Sequence, residues 1–217
     1  MKKMILIVIA IMEVSISYLQ GQDNKNQQIQ ALKPSWGLKA EANMSNFFIS
    51  GTSILDSKVK IGGTFGGFLH LELTDHFVLQ GELLYHYKTS KLNRDDLNGD
   101  FRYWGMEIPI YAIYQKKIGG GKRIYTGIGL YSEFGLSANL YRNGEKINLY
   151  EKDQSTDIST MRDNNIGFGF IGGYEFANGV QINLGYKIGV TNILDANSYS
   201  FSLLPSTISM GIGYHFR

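Results

Sequence analysis

Apolar and polar side chains alternate residue by residue in eight segments of this 217-residue chain. Segments 180–190 and 207–217 are the clearest, with apolar residues at the even positions and mostly polar residues or glycine at the odd ones. Successive side chains of a β-strand point to opposite faces, whereas a helix repeats every 3.6 residues. The alternation therefore predicts strands with one apolar and one polar face, and helical periodicity is almost absent after residue 35.

The connections between these strands alternate between long and short. The long ones are 45–58, 89–101, 135–164 and 191–205, and the short ones are 74–75, 116–122 and 177–179. Short turns at one end and long loops at the other are typical of transmembrane barrels, whose tilted strands need about 9–11 residues to cross the bilayer. We therefore predict an all-β protein: an eight-stranded antiparallel up-and-down transmembrane β-barrel with short periplasmic turns and long extracellular loops.

An exported lipocalin-like barrel with its apolar face inward is the soluble alternative. Charged residues are 18% of the chain and there are 26 glycines, a composition that suits a crowded interior better than a surface in water. The polar faces carry six acids and six bases, and buried charges need partners. These observations favour a polar interior. The net charge of +2 argues against a nucleic-acid-binding protein, and the absence of Cys excludes disulfides and thiolate metal sites.

Charged residues on the predicted inner face form a lumen charge network in this interpretation. Glu82 and Glu107 lie on adjacent strands at middle depth, where each can pair with Lys39 or Lys187. A gated ion path and a static network that closes the lumen are both compatible with this pattern, and we favour the static network. Its predicted members are Lys39, Glu41, Glu72, Glu82, Glu107, Arg123, Glu175, Lys187 and Arg217.

Aromatic residues fall near the ends of the apolar faces. Amphipathic rings in two bands are typical of the girdles that mark the two membrane surfaces. The predicted interfacial aromatics are Trp36, Phe77, Trp104, Tyr114, Tyr174, Phe176, Tyr214 and Phe216.

The first residues have the pattern of an export signal. Met1-Lys2-Lys3 is positively charged, and the apolar run from Met4 to Met12 is too short to span a bilayer as a helix. We predict a signal peptide at 1–21, a flexible leader at 22–35 and the outer-membrane barrel at 36–217.

Several short motifs resemble the PorT-like outer-membrane β-barrel family, which shares its architecture with OmpX/OmpA-type barrels. They are 37–47 (GLKAEANMSNF), 79–85 (LQGELLY), 107–110 (EIPI), 172–176 (GGYEF) and 211–216 (GIGYHF). The resemblance implies location in the outer membrane of a Gram-negative bacterium and insertion by the barrel-assembly machinery. Family members are often labelled porins, and some are linked to protein secretion.

Three groups of residues are candidates for chemistry. One group falls at a single depth, where a polar plug is favoured over a metal or proton site: His70, Glu72, Arg123, Glu175, His215 and Arg217. A lipid-modifying enzyme would need His86 with Ser132 or Ser90 and Glu133, but no G-x-S-x-G motif is present. Residues 135–164 carry mixed charge and are a possible site for an extracellular ligand.

The sequence thus predicts a monomeric, non-enzymatic envelope protein with a narrow or plugged polar lumen and a structural, adhesion or porin-like role. We expect no cofactor, metal or nucleic acid, and we expect outer-membrane lipid as a partner. A lipid-modifying barrel enzyme and an accessory factor of a secretion system are the alternatives.

Overall fold

The computed structural model describes residues 33–50, 56–93, 99–151, 161–194 and 202–216. The predicted signal peptide and nearly all of the predicted leader lie outside these ranges. Within the described residues, no helix has the length and hydrophobicity needed to cross a membrane.

Eight long strands and one short strand make up the described structure. They are β1 (Lys33–Ser50), β2 (Asp56–Glu72), β3 (Phe77–Asn93), β4 (Gly99–Gly119), β5 (Lys122–Arg142), β6 (Glu145–Asn148), β7 (Asn164–Glu175), β8 (Val180–Gly189) and β9 (Ser202–Phe216). Each long strand pairs antiparallel with the next long strand, and β9 pairs with β1. These pairings close the eight long strands into a ring, which confirms the predicted antiparallel barrel.

One end of the ring, the turn end, carries the short connections. They lie at 73–76, 120–121 and 176–179. Gly119, Gly120 and Gly121 have φ values of 92°, 59° and 77°. Glycine adopts these positive φ values without steric cost because it has no Cβ atom, which explains the run of three glycines in the β4–β5 turn.

The opposite end, the outer end, differs from the sequence-based boundaries. Residues 45–50, 56–58, 89–93, 99–101 and 135–142 were predicted as loops but are strand, and β6 was not predicted. Strands β1 to β5 contain 17–21 residues, whereas β7, β8 and β9 contain 12, 10 and 15. Backbone pairing continues beyond the alternating segments, because hydrogen bonds between strands do not depend on which face is apolar.

The barrel has apolar side chains on its outside and polar ones inside, the reverse of a soluble protein. Ile61 and Ile212 are 67% and 64% exposed on the outside, whereas Glu107 and Glu175 are each 1% exposed inside. This arrangement contradicts the lipocalin-like alternative. A ring with an apolar outside and a polar inside is stable only where lipid replaces water around it.

Tyrosines fill part of the interior, which the sequence analysis did not predict. Tyr111 and Tyr131 project inward from β4 and β5 and pack against glycines of β7. A Cβ atom at Gly169 would lie 2.8 Å from the Tyr111 hydroxyl, and one at Gly167 would lie 2.6 Å from the Tyr131 ring. Glycine on β7 therefore makes room for rings that project from β4 and β5.

Candidate functional site: the barrel interior and its outer cap

Glu175 is the centre of the polar cluster at the turn end. One of its oxygens accepts a hydrogen bond from Gln181 (2.7 Å) and lies 3.1 Å from Nδ1 of His215. Arg123 lies 3.8 Å from the other oxygen and also pairs with Glu72. The His70 ring stacks on His215 with centroids 4.7 Å apart. This turn-end cluster joins β2, β5, β7, β8 and β9 across the interior.

Lys39 and Lys187 are the cations of a second cluster, at middle depth. The Lys39 ammonium lies 2.9 Å from a Glu41 oxygen and 2.8 Å from a Glu82 oxygen. Lys187 on β8 pairs with Glu107 on β4. In this middle cluster each buried base therefore has a buried acid as its partner.

Glu133 is the acid of a third cluster, nearer the outer end. Both of its oxygens lie 2.9 Å from the Lys88 ammonium, and one lies 2.9 Å from Nε2 of His86. The Tyr103 ring stacks on His86 with centroids 5.6 Å apart, and the Lys88 ammonium lies 5.8 Å from the centre of the same ring. This outer cluster thus spans β3, β4 and β5.

An apolar cluster lies along one interior wall, beside the charged ones. It consists of Val78, Tyr111, Ile113 and Ile171, with Tyr125 packed against it. Charged and apolar side chains therefore share the interior.

The segments after β6 and after β8 pack against residues of β4, β5 and β9 and form with them an apolar cap over the outer end. Its buried residues are Phe101, Tyr103, Ala138, Leu140, Leu149, Met161, Ile193, Leu194 and Leu203. Backbone hydrogen bonds hold these segments in place, from Met161 to Leu149 (3.0 Å) and from Arg162 to Ile193 (2.8 Å). This part of the predicted loop 135–164 is therefore folded onto the barrel.

A cavity lies between the cap and the outer cluster. It is small, with a volume of about 30 Å³, and its lining includes Lys88, Ser90, Tyr103, Glu133, Met161 and Ile193. The Ser90 hydroxyl is buried without a hydrogen-bond partner among the described residues. Lys88 and Glu133 line the cavity from the barrel. Met161 and Ile193 line it from the cap, together with the charged residues Arg162 and Asp163.

The residues proposed for a lipid-modifying site are only partly together. His86 and Glu133 are in contact, but Ser132 belongs to the opposite face of β5 from Glu133. Ser90 shares the inner face of β3 with His86, four residues away, which places their Cα atoms roughly 13 Å apart along the strand. A serine and a base within hydrogen-bond distance are the signature of an activated nucleophile, and His86 forms no such pair with Ser90.

Eight of the nine residues predicted for the lumen charge network make ion pairs in the interior: Lys39, Glu41, Glu72, Glu82, Glu107, Arg123, Glu175 and Lys187. Arg217 lies outside the described residues. Within the described part of the chain, no group of three or more His, Asp or Glu could hold a metal ion.

The eight predicted interfacial aromatics belong to the outward face. Trp36 stacks on Phe216 (centroids 4.1 Å apart), Phe77 meets Tyr114 edge-on (5.6 Å), and Tyr174 meets Phe176 (4.7 Å), all at the turn end. Trp104 lies toward the outer end, 4.5 Å from Tyr87.

Sequence reasoning placed Tyr103 on the polar face, but it missed the inward Tyr111, Tyr125 and Tyr131 and the cap. Tyr103, Tyr111, Tyr125 and Tyr131 occupy odd positions of β4 and β5, in phase with Glu107 and Glu133. That phase was available in the sequence as a signal of their direction. No comparable signal marked Leu149, Met161 or Ile193, which lie outside the alternating segments.

The fold and its interior define a transmembrane β-barrel whose inner face is polar and carries buried ion pairs. A family model for the outer membrane protein beta-barrel domain matches residues 20–195. The chain belongs to this family, and its location is the outer membrane of a Gram-negative bacterium.

Solved structures show the same fold. Neisserial surface protein A is 15% identical, with 85% of this chain and 99% of that protein covered and a TM-score of 0.50. OprG from Pseudomonas aeruginosa is 12% identical, with 86% and 97% covered and a TM-score of 0.53. The outer membrane enzyme PagL is 12% identical, with 80% and 98% covered and a TM-score of 0.41, a similarity too low to inform on activity. No curated protein sequence matches the chain.

Proposed function

We propose that this protein is a monomeric, non-enzymatic envelope barrel with a closed lumen, and that its role is structural or adhesive. The observation that carries the proposal is the filling of the interior by the turn-end, middle and outer clusters beneath the cap. An eight-stranded barrel has an interior just wide enough for side chains to fill. An ion crossing it would have to displace buried ion pairs, whose separation is costly.

Single-channel recording in planar bilayers tests the closed lumen. We expect no stable conductance steps from the wild type. The double variant Lys39→Ala/Glu82→Ala removes two large side chains from the middle cluster and should admit small currents. Lys117→Ala, at an exposed ion pair of the turn end, is the matched control. Large stable steps from the wild type would show a porin-like channel instead.

The outer end supports an adhesive role. The β5–β6 hairpin places Arg142, Glu145 and Lys146 in solvent above the cap. A rigid barrel that presents an exposed hairpin resembles the arrangement in which surface loops carry binding. An extracellular ligand for residues 135–164 is therefore part of this proposal. Cells that display the wild type should adhere better to host or abiotic surfaces than cells in which 143–146 is replaced by Gly and Ser.

Two alternatives remain open to experiment. The contact between His86 and Glu133 favours testing a lipid-modifying activity, by mass spectrometry of outer-membrane lipid incubated with the wild type and with His86→Ala. A new lipid species that depends on His86 would establish an enzyme.

The PorT-like motifs favour testing a role in secretion, by comparing exported proteins in cells with and without the gene. Export unchanged by deletion would exclude an accessory factor. On the same resemblance we propose that the barrel-assembly machinery inserts the chain.

A further inference from the structure

Three aromatic side chains mark the outer membrane surface on the β3–β4 side of the barrel and are called the aromatic group: Tyr85, Tyr87 and Trp104. The Trp104 ring centroid lies 4.5 Å from that of Tyr87 and 5.5 Å from that of Tyr85. Phe65 on β2 packs against Tyr85 with centroids 5.3 Å apart. Tyr and Trp prefer the depth of the lipid headgroups, so this aromatic group locates the headgroup layer on these strands.

Two exposed cations lie just beyond this aromatic group on the same outward face. Arg102 is two residues beyond Trp104 on β4, about 7 Å along the strand, and Lys91 is four residues beyond Tyr87 on β3, roughly 13 Å. The Arg102 guanidinium lies 4.5 Å from the centre of the Tyr141 ring on β5, a cation–π contact that holds its position.

Among the side chains that the structure describes here, one carboxylate accompanies these cations, and it is already paired. Asp100 accepts a hydrogen bond from the Lys60 ammonium at 2.8 Å. This hydrogen bond, together with the charges of Lys60, Lys91 and Arg102, holds the pKa of the Asp100 carboxyl below its ordinary value. Among the described residues, neither Lys91 nor Arg102 forms an ion pair. These four described residues, Lys60, Lys91, Asp100 and Arg102, therefore form a patch with three positive charges and one negative charge.

We propose that this patch binds the phosphate groups of a phosphorylated glycolipid in the outer leaflet. Guanidinium groups bind phosphate oxygens through paired, charge-assisted hydrogen bonds, and a nearby ammonium adds a point charge. The patch is continuous with the lipid-facing surface and lies outside the lumen. A lipid phosphate at headgroup depth therefore reaches it without entering the barrel.

Trp104 provides a local probe, because the only other tryptophan is Trp36 at the turn end. The full chain with Trp36→Phe would be placed in phosphatidylcholine nanodiscs and titrated with diphosphorylated glycolipid of lipid A type. We expect a saturable change in Trp104 emission. Lys91→Gln/Arg102→Gln should weaken the apparent affinity at least tenfold, and Lys91→Arg/Arg102→Lys should retain most of it. Arg142→Gln/Lys146→Gln, in the exposed hairpin, is the matched control and should bind normally.

Two further arms identify the source of the phosphate. Dephosphorylated glycolipid should give no saturable change, and inorganic phosphate should neither change the emission nor compete. Equal binding of the dephosphorylated lipid, equal affinity of the Gln double variant, or full competition by inorganic phosphate would each overturn the proposal. Heat-modifiable migration in detergent electrophoresis would verify that every variant is folded. This test is independent of lumen conductance, so the closed-lumen proposal stands or fails separately.

Discussion

Lys187 on β8 and Glu107 on β4 form a buried ion pair across the barrel interior, although 80 residues separate them in the chain. On the shorter way around the ring β5 and β7 lie between β4 and β8, and on the longer way four strands do. The pair therefore ties opposite walls together and occupies the space through which a solute would pass.

Breaking this pair should destabilise the barrel. Glu107→Leu leaves the Lys187 ammonium buried without its partner, which we expect to cost about 3–5 kcal/mol of unfolding free energy. The double variant Glu107→Leu/Lys187→Met should recover most of that loss. Urea unfolding in lipid vesicles measures both. A single variant as stable as the wild type would show that the pair is not desolvated in the membrane.

Replacing glycine on the inner face should lower the stability of the barrel where a neighbouring strand or ring lies against that glycine. A Cβ atom at Gly129 would collide with the Ile110 carbonyl oxygen and approach the Tyr111 ring to 2.8 Å. We expect Gly129→Ala to cost about 1–3 kcal/mol through overpacking. Gly81→Ala is the control, because a Cβ there meets nothing within 4 Å. Equal melting of the two variants by heat-modifiable electrophoresis would contradict this account.

The topology can be tested with single cysteines, since the chain contains none. Lys146→Cys on the exposed β6 should react with a membrane-impermeant maleimide on intact cells. Asn178→Cys in the β7–β8 turn should react only after the outer membrane is opened. The reverse pattern would mean that the barrel is inserted with its turn end outward.

The cap should control access to the cavity. Ser90 is 1% exposed, so Ser90→Cys should react slowly with thiol reagents added from outside. Adding Ile193→Asp places a charge in the apolar cap and should speed this reaction by an order of magnitude or more, because a buried unpaired charge is strongly disfavoured. Ser90→Cys with Lys146→Asp is the control for a charge change outside the cap. Fast reaction of Ser90→Cys alone would show that the cap is open.

The exposed ion pair between Lys117 and Asp75 at the turn end should lower the titration midpoint of the Asp75 carboxyl. Lys117 donates a hydrogen bond to Asp75 at 2.7 Å, and this bond and the Lys117 charge lower the pKa of the Asp75 carboxyl. A lowered pKa means that the pair contributes fully above the ordinary pKa of Asp and loses its contribution as pH falls through the lowered value. Lys117→Met should raise the Asp75 midpoint toward the ordinary value in an NMR titration. An unchanged midpoint would show that the pair does not persist in solution.

Much of the barrel could be predicted because each strand carries its own information. Successive side chains of a strand alternate between its two faces. The pattern of β8 therefore predicts that Ile182 and Leu184 face lipid and that Lys187 faces the interior. Asn178-Gly179 marks a tight turn in the same local way. The direction of Tyr111 and Tyr131 was also encoded, by their phase with Glu107 and Glu133, although their polarity alone did not reveal it.

Pairing across the interior could not be predicted in the same way. Glu82 and Glu107 each had two possible basic partners, and only the stagger of the closed ring brings Lys39 to Glu82 and Lys187 to Glu107. The cap is a similar case. Its residues Leu149, Met161 and Ile193 lie outside the segments in which apolar and polar residues alternate. They come into contact only because two distant connections fold over the same end of the barrel.

The sequence by itself determined the number of long strands, their order and which residues share a face, because those properties depend on residues one or two positions apart. Only the tertiary structure decided which charges pair, where rings fit against glycine, how far the strands extend and what covers the lumen. Those properties depend on the stagger between strands and on contacts between distant segments, which closure of the ring creates.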